Sequence, residues 1–215
     1  MSKQIQLLVE VPIACFRQSR AREYAETYPV PPPSTVYGML LSLVGEMDRY
    51  QHCGTKLAIA MLSQPVKSTV IRTFRRFKKK EIADPTNARP DYQELLTDIR
   101  FVVFVDSQFE NGQFTLADRL QAAFEHPEAI ARFGGLCLGE SRDLVNSIKP
   151  IKNVEDVKDF QDWQWLCQEE NGLLTLPYWV DHVGSQGTRW KRYILQSPTK
   201  IFEPPSDAWT EIRTT

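Results

Sequence analysis

Residues Tyr28 to Leu41 read Tyr-Pro-Val-Pro-Pro-Pro-Ser-Thr-Val-Tyr-Gly-Met-Leu-Leu, and no other stretch constrains the fold as much. Its prolines hold φ at about −65° and lack backbone donors, so the segment is stiff and extended. Ser34 then stands where an N-cap is wanted. An apolar run follows at helical spacing: Val36, Met39, Leu40, Leu43 and Val44. The pattern predicts a helix over residues 34–47, with Gly45 near its end. A rigid lead-in thus delivers a helix start to a fixed place. Helix N-termini carry free N–H groups and partial positive charge, which suit phosphate.

The flanking patterns set the order of elements. Ile5, Leu7, Val9 and Val11 alternate along a first strand, and a polar loop with Arg17, Arg20 and Arg22 follows. Lys56 to Leu62 reads as a strand with Leu57, Ile59 and Met61 on one face. Val66 to Phe77 alternates again, and a turn-rich segment from Asp84 to Asp91 leads to a return strand over 94–105. Together these predict a long hairpin over about 66–104, buried at its base and solvated and basic farther out. Thr115 caps a second helix carrying Leu116, Leu120, Ala123 and Phe124, which Pro127 stops. Leu144 to Ile151 is a further strand. Strand, helix, strand, long hairpin, strand, helix, strand is the split βαβ, ferredoxin-like (RRM/RAMP) plan of an α+β domain, assigned to residues 1–152. Residues 153–215 read as a small β-rich C-terminal extension with a hairpin pairing 173–181 with 189–196.

Charge is uneven although the net value is −1. Lys67, Arg72, Arg75, Arg76, Lys78, Lys79 and Lys80 lie close together without an acid among them, interleaved with Phe74 and Phe77. Cations for phosphates and rings for bases are what single-stranded RNA requires. The plainer reading is a solvated strand face with the phenylalanines packed inward. Arg17, Arg20 and Arg22 would share a face with the helix start at Ser34, which favours phosphate contacts. Gly134-Gly135, flanked by Arg132 and Arg142, is a turn or a place where bare backbone approaches a ligand.

Other chemistries fit less well. The four cysteines are widely spaced without a Cys-x-x-Cys pair, which argues against a disulfide framework or zinc site and fits a reducing cytoplasm. No metal and no cofactor is expected. No apolar run is long enough to span a membrane, and Met-Ser-Lys-Gln leads straight into a strand, so no signal peptide is expected. Metal-free RNA cleavage needs a base and an acid. The three histidines, His52, His126 and His182, sit in no recognisable active-site pattern, and Tyr37 with His52 is the least poor pair. The five tryptophans cluster toward the C-terminus, mostly as core, some as interface anchors.

The first strand, Phe16-Arg17, the polar loop and Tyr-Pro-x-Pro-Pro-Ser-Thr-x-Tyr-Gly-x-Leu together resemble the fifth CRISPR-associated protein family. The likeness is tight over about residues 3–47 and collinear to about residue 152. Members are RAMP-type subunits that cap the 5′ handle of the guide RNA in type I Cascade complexes. The resemblance implies a non-catalytic, cytoplasmic, ribonucleoprotein subunit in antiviral defence or a transposon-associated system. It implies CRISPR RNA, the Cascade backbone subunit and the large subunit as partners, and target DNA through the assembled complex. It places Arg17, Ser34, Thr35 and Tyr37 on the handle, makes the basic hairpin a thumb, and makes Gly134-Gly135 a short form of the RAMP glycine-rich loop. Two alternatives stand beside it: a metal-independent endoribonuclease that processes precursor CRISPR RNA, and a generic single-stranded RNA-binding module.

Overall fold

The computed structural model describes residues 3–75, 81, 83–160, 163–181, 186–197 and 202–214, with the side chains of Phe74 and Arg75 outside that set. Among the described residues, ten strands join one sheet. They are β1 (Gln4–Ala14), β2 (Tyr24–Ala25), β3 (Lys56–Met61), β4 (Val66–Arg75), β5 (Ala88–Asp106), β6 (Ser147–Ile151), β7 (Gln164–Gln168), β8 (Leu174–Trp179), β9 (Arg189–Gln196) and β10 (Thr210–Glu211). The main path runs β6-β1-β5-β3-β7-β9-β8, with all neighbours antiparallel. Helix α1 (Pro33–Leu43) connects β1 to β3, and α2 (Leu116–Glu125) connects β5 to β6.

Period-two alternation sorts the central strands into two faces. Leu7, Val9, Ile59, Phe101 and Val103 face the helices and pack with Val36, Leu40 and Leu120. Leu8, Ala58, Ala60, Val102 and Phe104 face the other way, onto Trp163 and Trp165. Each fully buried large apolar side chain contributes about 1.5–3 kcal/mol, so this two-sided burial fixes the register of β1, β3 and β5. Residues after 153 therefore share the sheet: β7 and β10 both pair with β3. The hairpin of β8 and β9 forms, with Leu174 opposite Tyr193. Trp163, Trp165 and Trp179 are buried, and Trp190 is 38% exposed.

Helix α1 begins earlier than its sequence indicates. Pro32 is the N-cap and makes no side-chain cap bond, with Pro33 as first helical residue. Proline suits that position because its missing N–H would be unpaired there anyway. Ser34 is thus inside the helix and is not its cap. The helix closes at Leu43, and the N–H groups of Gly45 and Glu46 bond back to the Ser42 and Leu41 carbonyls. In α2 the expected Thr115 cap is present, with Asp118 completing a reciprocal pair of bonds.

β5 is the spine of the molecule. Its C-terminal half lies between β1 and β3, while its N-terminal half pairs with β4, Val66 opposite Thr97 and Arg75 opposite Ala88. The hairpin is exposed along most of β4, with Val66 and Ile71 about two-thirds exposed. The arginine loop folds against its other edge: β2 pairs parallel with β5, and Tyr24 stacks on Tyr92 at 6.1 Å. Glu94 clamps the two together, accepting from Thr27 N (3.0 Å), Lys67 Nζ (2.9 Å) and the Tyr24 hydroxyl (3.3 Å). Burial alone would raise its pKa, but these three donors hold the carboxyl below its usual value.

Candidate nucleic-acid interface

The end of β1, the proline lead-in, the start of α1, the Gly139 turn and the β8–β9 hairpin converge on one side of the molecule. They enclose a cleft of about 550 Å³ lined by Arg17, Ser34, Thr35, Gly139, Glu140 and Trp190 among others. A smaller cleft next to it holds Arg20 against Tyr28, Thr175 and Trp190. A further cleft of about 300 Å³ continues along α1, from Ser34 and Thr35 to Arg49, with Trp179 and Val180 as its wall. A groove with basic side chains and a half-exposed tryptophan thus follows the first helix. The C-terminal hairpin forms one bank of it.

The predicted residues that the structure describes each have a definite place. Arg17 is exposed, and its Nη2 donates to the Ala21 and Arg22 carbonyls at 3.1 and 3.2 Å, which shapes the loop. Arg20 and Arg22 are exposed on that loop. Ser34 and Thr35 line both the 550 Å³ and the 300 Å³ clefts, and the Ser34 hydroxyl is buried without a hydrogen-bond partner among the described residues. The helix start supplies fewer donors than its sequence implies. Pro33 has no N–H, and those of Thr35 and Val36 both bond the Pro32 carbonyl.

Tyr37 differs from expectation. It is 4% exposed, and its hydroxyl donates to the Arg49 carbonyl at 2.8 Å. Burial pushes its pKa up, so it offers neither a free hydroxyl nor a proton near neutral pH. Its role is to hold the Arg49 loop. The apolar stripe already contained this answer, because Tyr37 stands one turn from Pro33 and from Leu40 and Leu41.

Arg72 lies on β4 opposite Asp91. The Arg75 side chain and Arg76, Lys78, Lys79 and Lys80 lie outside the described residues. Arg132, Gly134 and Gly135 are exposed on the loop that leads from α2 toward β6, and Phe133 between them is fully exposed, a feature the sequence reading passed over. Arg142 is not a free charge. It pairs with Glu140, donates to Gln93 Oε1 at 2.6 Å and lies 3.9 Å from Asp143. Asp143 is buried and accepts from Cys15 N and Glu140 N, both at 2.9 Å. Burial lifts its pKa above the usual carboxylate range. This carboxylate staples the Gly139 turn to the end of β1.

The histidines fall elsewhere. His52 is 1% exposed, with Nδ1 at 2.7 Å from Glu110 and Nε2 at 3.3 Å from Arg119. Glu110 also accepts from the Thr55 hydroxyl and from Leu116 N at the start of α2. The group ties the two helices together. His126 is exposed beside Glu128, and His182 lies outside the described residues. Among the described residues no cluster of three or more His, Cys, Asp or Glu could hold a metal, the four cysteines are free, and no helix is long and apolar enough to cross a membrane.

The family model described as CRISPR-associated protein (Cas_Cas5) matches residues 4–192 of the chain. The chain belongs to the Cas5 family. A CRISPR-associated protein Cas5 of Myxococcus xanthus (strain DK1622) is 44% identical over 191 residues, 87% of either chain. Among solved structures, one from a CRISPR RNA-guided surveillance complex superposes with a TM-score of 0.59 at 18% identity, covering 90% of both chains. A Cas protein crystal structure gives 0.52 at 14% identity, over 90% of this chain and 93% of that one. The shared architecture is a mixed α/β fold built on a large antiparallel sheet with few helices.

Proposed function

We propose that this Cas5 protein is a non-catalytic Cascade subunit that holds the 5′ handle of CRISPR RNA. The observation that carries the reading is the groove along α1, where Arg17 and Arg20 lie beside Trp190 and Arg49 stacks on Trp179 farther along. Cations and an accessible ring side by side suit single-stranded RNA, whose phosphates and splayed bases both need partners. The order β6-β1-β5-β3, with α1 and α2 as crossovers, supports a ferredoxin-like RAMP domain. The exposed β4–β5 hairpin, which carries Arg72, supports a thumb. Likeness to a chain of an RNA-guided surveillance complex supports assembly with a backbone subunit and a large subunit. Target DNA would then be read by guide pairing, with the protein gripping the RNA backbone.

The engaged Tyr37 hydroxyl and the buried His52 support a passive role over cleavage. The test is a gel shift of purified protein with a labelled repeat RNA across a salt series, with cleavage followed on the same samples without metal. Salt-sensitive binding of intact RNA, weakened by Arg20→Ala with Arg72→Ala, is expected. Specific scission within the repeat would overturn the passive reading, and absence of binding would overturn the RNA assignment.

A further inference from the structure

Arg49 lies in the loop after α1, where no sequence pattern marks it. Three contacts hold it ready. Its carbonyl accepts the Tyr37 hydroxyl at 2.8 Å, its guanidinium sits 4.4 Å over the Trp179 ring, and the Tyr50 ring is 6.0 Å away. Stacking of this kind orients a guanidinium without consuming its donors. Its Nε is buried and has no hydrogen-bond partner among the described residues.

Arg119 pairs with Glu46, Arg142 with Glu140 and Lys67 with Glu94, while Arg49 forms no ion pair among the described residues. A desolvated guanidinium donor left without an acceptor is costly, and natural proteins keep such groups where something else supplies the acceptor. The same cleft also contains the Ser34 hydroxyl, buried and likewise without a partner among the described residues. Between them α1 presents Gly38, where an added Cβ would meet nothing within 4 Å, so the helix backbone is open to a ligand there. The opposite wall is apolar: Tyr178, Trp179 and Val180. An anionic group at Arg49 and a flat or apolar portion along that wall satisfy both halves of the cleft. Its volume of about 300 Å³ has room for one nucleotide unit and not for a duplex.

We infer that this cleft is a single-nucleotide subsite, in which Arg49 binds one RNA phosphate and Ser34 hydrogen-bonds the same nucleotide. The inference rests on the RNA-binding reading above and adds to it a residue and a place. Charge-assisted bonds to phosphate are the strong class, and loss of one costs roughly ten- to a hundredfold in affinity.

The experiment titrates the purified full chain with fluorescently labelled repeat RNA across a salt series. Wild type is compared with Arg49→Ala, Arg49→Lys and Ser34→Ala. Arg49→Ala is expected to weaken binding about ten- to a hundredfold and to reduce the salt slope by about 0.7, as for one single-strand phosphate contact. Arg49→Lys should recover the slope and part of the affinity. A scan of the RNA with single neutral methylphosphonate linkages supplies a readout that a structural role would not move. One linkage should weaken wild type and add nothing in Arg49→Ala. Additive effects at every linkage, or unchanged slope and affinity in Arg49→Ala, would overturn the inference while leaving RNA binding intact. Failure of wild type to bind would overturn the RNA reading and the inference with it. Should Arg49→Ala lose its fold by circular dichroism, Arg49→Gln takes its place in both arms.

Discussion

Gly139 offers the sharpest test of how the groove is built. Its φ is +109°, and an added Cβ would lie 2.9 Å from the Cys15 carbonyl oxygen and 2.9 Å from Asp143 Oδ2. Neither neighbour can yield cheaply, because one is backbone and the other is fixed by two N–H bonds. A non-glycine residue at such a φ costs about 1–3 kcal/mol. Breaking the Asp143 staple to make room costs about 1–3 kcal/mol more, since it strands a buried donor. Gly139→Ala should therefore destabilise by about 4 kcal/mol, or roughly 8–16 °C in Tm for a chain of this size. Gly134 supplies the control: its φ is +77°, but nothing lies within 4 Å of an added Cβ. Gly134→Ala should cost only the backbone strain, about 1 kcal/mol. Urea denaturation of both variants measures the difference. If Gly139→Ala falls within about 1 kcal/mol of Gly134→Ala, the close approach at Cys15 does not hold the turn, and the argument for the staple fails.

Two further predictions concern buried carboxylates. Because burial raises the Asp143 pKa, the folded chain binds that proton more tightly than the unfolded one. Its contribution is complete below the unfolded value of about 3.9 and is lost as pH rises through the folded value. Asp143→Asn, whose single oxygen can accept both N–H bonds, should flatten the fall in stability above about pH 4. Denaturation at several pH values between acid and neutral checks this, and an unchanged slope would refute it. Glu110→Ala should cost about 3–5 kcal/mol by urea denaturation, because His52, Thr55 and Leu116 N all lose their acceptor. A loss below about 1 kcal/mol would mean that water replaces the carboxylate and the network is not closed.

Local pattern carried the secondary structure well because each element declares itself in a few residues. Leu57, Ile59 and Met61 alternate, Thr115 caps, and the β8–β9 hairpin is bounded by polar turns. What it could not carry were pairings between distant segments. That β7 and β10 complete the sheet on β3 depends on contacts across more than a hundred residues, and no short-range period encodes them. Arg49 was invisible for the same reason: its partner Trp179 lies far along the chain, and neither residue is unusual alone. Ser34 was misplaced as a cap because the rule for serine outranked the equally sound rule that proline begins a helix. The arginine loop was recognised by composition, yet its attachment to the hairpin through Glu94 and Tyr24 appears only once β2 is seen to pair with β5.

The continuity of β5 has a mechanical consequence. The outer hairpin and the centre of the molecule share one unbroken strand of 19 residues, with a single positive-φ residue, Asp98, near the point where its partner changes from β4 to β3. A load applied at the hairpin therefore travels along the strand axis. It is resisted by shear across two ladders, to β1 and β3, which yield together and not one bond at a time. The hairpin is a cantilever built into its wall. Whatever it bends, it bends by its own stiffness, and recoil passes straight to the strands that position the start of α1.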